Sequence, residues 1–259
     1  MKKISFEKYF KRLGLKKNDK IYITSNIINL LVLKKKNKIK FELSNLIDDL
    51  IKVVGSNGTI LVPTFNWRFC EGYGFDYRKT LSNSGSLGNY VLKRKDFKRT
   101  KNPIYSFCIY GKDKNYICNM KHKSCFEFNS PWGYMVKNNC KNLYIDVKNI
   151  YEDSFTLCHV AEQNVGVNYR YLKKFTGPYI HQNVKLKKAT YTMYVRKLNL
   201  KIIRTRVNPI IKRELLKKKS YIEKNFEKIN FKVINMKTAF HLMSNSIKYN
   251  KNLIYPEKS

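Results

Sequence analysis

Residues 43–63 read LSNLIDDLIKVVGSNGTILVP. Leu43, Leu46, Ile47, Leu50, Ile51 and Val54 recur at the i, i+3, i+4, i+7 spacing of an amphipathic helix. Gly55 ends that run, Ser56-Asn57-Gly58 supplies a turn, and Thr59–Pro63 is a short apolar strand. Upstream, Lys20–Thr24 (KIYIT) reads as another buried strand, after a helix that presents Phe6, Phe10 and Leu13 on one face and stops at Gly14. Strand, helix, strand in this order predicts an α/β fold with a parallel component.

The same alternation continues downstream. Tyr105–Tyr110 and Leu143–Val147 read as strands, and a helix is expected from about Phe155 to Val165, with Asp153 or Ser154 as N-cap and Gly166 as stop. Thr190–Arg196 alternates like a strand. Asn208-Pro209 is expected to open a long basic helix reaching about residue 228, followed by a short strand at Phe231–Ile234 and a last helix over Lys237–Tyr249. Residues 64–88, rich in Gly, Ser, Asn and aromatics, read as a long loop. No internal repeat or linker divides the chain, so residues 1–259 are expected to form one domain: a single mixed, partly parallel sheet flanked by helices.

Composition excludes several classes. Of the 259 residues, 43% are hydrophobic and 14% aromatic, which excludes disorder, collagen and coiled coil for most of the chain. No apolar run approaches the roughly 20 residues needed to cross a bilayer, and Glu7, Lys8, Lys11 and Arg12 interrupt any signal-like start. The six cysteines contain no CxxC pair, and a reduced, cytoplasmic protein is expected. Cys118, His122 and Cys125 fit no zinc-finger spacing, so no metal site is expected. The net charge of +35 is consistent with A/T-rich coding bias or with selection for an anionic partner. In either case the field favours anions. A nucleic-acid binder using the basic 209–228 segment is a rival reading, although no nucleic-acid motif accompanies it.

The segment DSFTLCHVAE, residues 153–162, carries the chemistry. His159 and Glu162 are three apart, so a helix makes them neighbours. A carboxylate beside an imidazole fixes its tautomer and stabilises the imidazolium formed on proton uptake, as a general base near neutral pH requires. Cys158 precedes His159, but adjacent helical residues point about 100° apart, so a direct Cys–His nucleophile pair is not expected.

In this context the chain resembles the aminoglycoside 3-N-acetyltransferase family, from about residue 13 to about residue 250. The resemblance rests on an ordered set: Gly58–Phe65 (GTILVPTF) against a GTLvmPTf strand; Phe75-Asp76 and Gly85-Ser86-Leu87-Gly88; Arg99-Thr100-Lys101-Asn102-Pro103 with Ser106-Phe107 and Gly111; Ser130-Pro131; the His159-x-x-Glu162 pair; and Lys237-Thr238-Ala239. Three features depart from it, the first being lysines 34–36 in place of a Gly-rich insert after the early strand. Asn102 stands where the family has His before Pro, and Ile23-Thr24-Ser25-Asn26 lacks the His of an early VHsS motif.

The resemblance implies an α/β fold of its own kind and acyl transfer from acyl-CoA, a cosubstrate rather than a bound cofactor, to an amine. It implies His159 as base and Glu162 as its orienting partner, with no metal. Thr24, Ser25, Thr64, Ser106, Ser130, Thr156 and Arg170 are the expected substrate-binding residues, Ser106 and Thr156 as candidate donors to the thioester oxygen. Arg99, Lys101 and Arg204 are further candidates for phosphate contacts, and Trp67, Tyr73 and Trp132 for stacking. Charge then favours a phosphorylated acceptor, a nucleotide-linked (dTDP-type) amino sugar for surface polysaccharide, over a polycationic aminoglycoside. The aminoglycoside is the alternative. A homo-oligomer is compatible with the sequence; nucleic-acid binding and membrane insertion are not expected.

Overall fold

The computed structural model describes residues 2–36, 38–148, 150, 155–181, 184–249 and 251–258. The strands are β1 (Lys2–Lys3), β2 (Lys20–Ser25), β3 (Ile39–Lys40), β4 (Thr59–Pro63), β5 (Phe75–Asp76), β6 (Lys98–Arg99), β7 (Phe107–Gly111), β8 (Lys141–Ile145), β9 (Arg170–His181), β10 (Val184–Arg196), β11 (Ile202–Val207), β12 (Tyr221–Phe226), β13 (Ile229–Asn235) and β14 (Ile254–Lys258). The α-helices are α1 (Phe6–Arg12), α2 (Ile28–Lys35), α3 (Leu43–Val54), α4 (Ser86–Val91), α5 (Lys114–Asn119), α6 (Pro131–Lys137), α7 (Leu157–Val165), α8 (Ile211–Lys217) and α9 (Met236–Lys248).

Seven strands form the main sheet in the order β12-β13-β8-β2-β4-β7-β6. Its centre, β8-β2-β4, is parallel, and the pairs outside it are antiparallel. The expected mixed, partly parallel α/β sheet is therefore present. Smaller sheets accompany it: the β9–β10 hairpin with β5, and β11 with β14.

Period-two alternation sorts the central strands into two cores. Ile21, Ile23, Ile60, Val62, Leu143 and Ile145 join the residues of α1 and α3 on one face. Tyr22, Leu61 and Tyr144 join Trp132, Met135, Val160, Ala161 and Phe240, from α6, α7 and α9, on the other. Three layers result, and α7 lies in the second core, packed on α9.

Local chemistry fixes the element ends. Glu42 and Asn45 form a reciprocal capping box at the start of α3, and Gly55, at φ 70°, ends the helix. Gly111 turns β7 away at φ 96°, and a Cβ there would sit 2.0 Å from the Gly58 carbonyl oxygen.

Three expectations need correction. The long basic helix over 209–228 is instead α8, seven residues long, followed by the β12–β13 hairpin. Lys219, at φ 50°, breaks the helix, and Glu227 and Lys228, at φ 49° and 67°, make the hairpin turn. Neither composition nor charge marks those residues as left-handed. Second, the strand expected over Thr190–Arg196 is present but longer than expected: it is the end of β10, which starts at Val184 and pairs with β9 in a long hairpin. Third, the 64–88 segment holds a 3-10 turn (Trp67–Glu71) and β5, which pairs with β9. The expected caps Asp153 and Ser154 lie outside the described residues. No helix among the described residues is long and apolar enough to cross a membrane.

Candidate active site

Helix α7 places the key pair. Leu157, Cys158, Val160 and Ala161 bury one side of it in the second core, which turns His159 toward a neighbouring cavity. Gly166, at φ 82°, closes the helix, and the N–H groups of Gly166 and Val167 both donate to the Glu162 carbonyl. The backbone bearing the carboxylate is thereby locked.

The His159 side chain is 26% exposed and the Glu162 side chain 0%. Nδ1 of His159 lies 2.7 Å from Oε2 of Glu162. Glu162 also accepts from the hydroxyls of Tyr169 (2.9 Å) and Thr205 (2.6 Å). Arg170 completes the set as an ion pair, with Nε 2.9 Å from Oε2, although its N–H is not aligned for a hydrogen bond. The Arg170 guanidinium also donates to the Tyr194 carbonyl and the Thr205 hydroxyl.

Burial by itself would raise the Glu162 pKa. The His159 hydrogen bond, the charges of His159 and Arg170, and the Thr205 hydroxyl outweigh burial and hold it at about 2. The carboxylate is thus ionised and can only accept, so Nδ1 of His159 must donate. That leaves Nε2 as the free lone pair, on the edge of the ring turned away from Glu162.

The cavity at His159 has a volume of about 380 Å³. Tyr105, Phe126, Met193 and Ile203 give it apolar walls, and Arg170, Arg196, Arg204 and Thr205 its polar ones. The Phe126 ring centroid is 5.5 Å from that of His159. No carboxylate lines the cavity among the described residues. Arg204 is engaged by Glu257 at 2.9 Å.

The other expected binding residues divide by burial. Thr64 and Ser106 are both 0% exposed, and the Ser106 hydroxyl is committed to the Thr64 carbonyl at 2.6 Å. Both brace Arg99, which donates to Ser106 Oγ, the Thr64 carbonyl and the Thr80 carbonyl. Burial lowers the Arg99 pKa to about 10. This is a closed structural knot, so Thr64, Ser106 and Arg99 do not present donors to a ligand. Ser130 is also fully buried, at the N-cap of α6.

Thr24 and Ser25 end β2, both half-buried, with the Thr24 hydroxyl donating to Asn142 Oδ1 at 3.1 Å. Thr156 is half-buried at the N-cap of α7. None of these three lines the His159 cavity. Arg170 does line it, buried and ion-paired with Glu162. Trp132 is 0% exposed in the core, so only Trp67 and Tyr73 remain open for stacking, and Arg68 already covers the Tyr73 ring at 3.9 Å.

Sequence reasoning missed Tyr169 and Thr205. Tyr169 carries a weak signal, three residues beyond the stop glycine of α7. Thr205 arrives from β11, 43 positions from Glu162, and leaves no local trace. The Cys158 thiol does approach His159 Nδ1, at 3.4 Å, against expectation. Burial raises its pKa well above the usual thiol value, which disfavours the thiolate a nucleophile needs. Cys118, His122 and Cys125 do not converge. Among the described residues, the one group of His, Cys and acidic side chains that brings three ligand atoms within 4.8 Å is Cys158, His159 and Glu162, whose carboxylate is already saturated.

Comparison with known proteins gives the same direction. The family model for aminoglycoside 3-N-acetyltransferase matches residues 33–248. No curated protein sequence matches the chain. Among solved structures, the YokD protein from Bacillus subtilis superposes with a TM-score of 0.72 at 19% identity, covering 94% of this chain and 97% of that one. Aminoglycoside acetyltransferase AAC(3)-IIb superposes with a TM-score of 0.76 at 15% identity, covering 96% and 97%. AAC-IIIb, in a binary complex with CoASH, gives 0.75 at 15% identity, covering 95% and 96%.

Proposed function

The chain belongs to the aminoglycoside 3-N-acetyltransferase family, and from that premise we propose that it transfers an acyl group from acyl-CoA to an amine of an amino sugar. The observation that carries the proposal is the His159 ring at the wall of an open cavity, with Nδ1 fixed 2.7 Å from the buried, ionised Glu162.

The chemistry follows from that arrangement. Glu162 holds the tautomer whose Nε2 accepts a proton from the attacking amine as the C–N bond forms. The imidazolium so created is stabilised by the same carboxylate. The tetrahedral intermediate then expels CoA thiolate, and no covalent enzyme intermediate is required. Thr24, Ser25 and Thr156, all partly exposed, are proposed to contact the pantetheine or the acceptor, because ligands of α/β sheets gather beyond the carboxyl ends of parallel strands.

An amine of the aminoglycoside type is the acceptor that the comparisons favour: relatives on this fold include aminoglycoside acetyltransferases, one of them bound to sisomicin. A second reading, a phosphate-bearing amino sugar such as a nucleotide-linked one, is favoured by the cavity itself. Its described lining carries arginines and no carboxylate to receive a polycation. Release of CoA thiol from acetyl-CoA, measured with an aminoglycoside and with a dTDP-linked amino sugar, tests both. Turnover with either supports N-acyl transfer, and the ratio of kcat/KM ranks the acceptors. Thiol release with neither, nor with other amines, overturns the proposal.

A further inference from the structure

A second cavity, of about 460 Å³, shares no lining residue with the first and plays no part in the chemistry above. Asn102 is at its wall, fully buried. Its Oδ1 accepts from the backbone N–H groups of Ile104 (2.9 Å) and Tyr105 (3.0 Å). Those two donors demand an oxygen, so the amide orientation is fixed and Nδ2 must point the other way. Nδ2 has no partner within the protein. Nδ1 of His122, on the same wall, is also buried and has no aligned hydrogen-bond partner, although the ring lies near enough to the Met120 backbone to feel it. Two unpaired buried polar atoms on one wall are costly unless a ligand satisfies them.

Charge indicates what such a ligand carries. Among the described residues, Lys101, Lys121 and Lys123 line the cavity against a single carboxylate, Glu127. Glu127 is already occupied, with Oε1 accepting from the N–H groups of Lys123 (2.8 Å) and Ser124 (3.0 Å). Burial lowers the His122 pKa to about 4, opposed by Glu127 and the Met120 backbone and reinforced by Lys123, so the positive field of the cavity comes from the lysines. A cation would be repelled, and a neutral ligand would leave the ammonium groups unused.

We propose that this cavity is an anion subsite that receives a phosphate group of the acceptor. Its position supports the assignment. Tyr191 lines this cavity and Met193 lines the one at His159, two residues apart on one face of β10 and hence roughly 7 Å from each other. Asn102 and Tyr105 divide between the two cavities in the same way. A sugar carrying both an amine and a phosphate spans that separation. Acyl-CoA with its thioester at His159 does not place a phosphate so near, because the whole pantetheine arm intervenes. The identity of the ligand rests on the acyl-transfer reading; the anion subsite does not.

The test has a binding arm and a kinetic arm. Inorganic phosphate is titrated into the full chain against sodium chloride of equal ionic strength, with the His122 ring followed by NMR. Phosphate should produce a saturable shift and raise the His122 pKa, because an oxyanion accepts from the protonated Nδ1. The response should disappear in Asn102→Asp, which keeps Oδ1 and removes the amide donor. It should also weaken in Lys101→Met/Lys121→Met, whose side chains are not buried and which should fold normally. An equal response to chloride, or a response retained in the lysine variant, overturns the subsite. In turnover, phosphate should compete with the amino acceptor and not with acyl-CoA. An amino sugar 1-phosphate should exceed the same sugar without phosphate in kcat/KM by roughly tenfold or more. Competition against acyl-CoA alone refutes the acceptor assignment. Phosphate binding without acyl transfer to any amine leaves the anion subsite standing and removes the proposed function; acyl transfer without phosphate binding does the reverse.

Discussion

Replacing Glu162 by Gln separates what the carboxylate does for the fold from what it does for the base. A carboxyl held at about 2 instead of 4.5 contributes on the order of 3 kcal/mol of stability at neutral pH. The side chain is fully buried, so solvent does not discount that figure appreciably. The amide also leaves the buried Arg170 without a counter-charge, and breaking such a pair typically costs about 3–5 kcal/mol. These are two views of one interaction and do not add. The expected loss is therefore about 3–5 kcal/mol, read as a lower urea midpoint. Catalysis should fall independently of folding. A Gln cannot enforce donation from Nδ1, the productive tautomer is no longer selected, and kcat should drop by roughly 10²- to 10⁴-fold. Glu162→Gln combined with Arg170→Met removes the stranded cation and should recover much of the stability. Activity should not return with it. The assay is thiol release from acetyl-CoA, at a temperature where melting curves show each variant folded. A folded Glu162→Gln within threefold of the parent, or a double variant that regains turnover along with stability, would refute the assignment of Glu162 as the group that steers the base.

His159→Ala should lose most of kcat while acyl-CoA binding by calorimetry stays near the parent value; retained turnover discards His159 as base. Acid should destabilise the protein in a defined window: Glu162 has a folded pKa below its ordinary value, so its contribution is complete above about pH 4.5 and is lost as pH falls toward 2, a slope that Glu162→Gln should lack. Cys158→Ala should keep sequential initial-rate kinetics and most of the activity, since the buried thiol stays protonated; a ping-pong pattern in the parent that vanishes in the variant would reinstate the thiol as nucleophile. Ser106→Ala should lower the melting temperature, because the Ser106 hydroxyl braces Arg99 and the Thr64 carbonyl, and leave both KM values within about twofold; a change confined to KM would mean that the Arg99 knot opens to ligand.

Periodicity and turn chemistry in the sequence alone determined much of this protein. The i, i+3, i+4 run of Leu46, Ile47 and Leu50 and the apolar strand after Ser56-Asn57-Gly58 are local patterns, and they appear in place as α3 and β4. His159 and Glu162 were legible for the same reason: a helix makes residues three apart neighbours whatever surrounds it. Tertiary structure decided the rest. Left-handed backbone at Glu227 and Lys228 turned an expected helix into a hairpin, because pairing with β13 outweighs local preference. Burial made Thr64, Ser106 and Arg99 a closed knot and gave Arg170 to Glu162, since desolvation depends on every layer packed around a group and not on its neighbours in the chain. Thr205 from β11 and Asn102 beside the second cavity acquire their roles only through contacts distant in sequence, so a pattern confined to one segment cannot encode them.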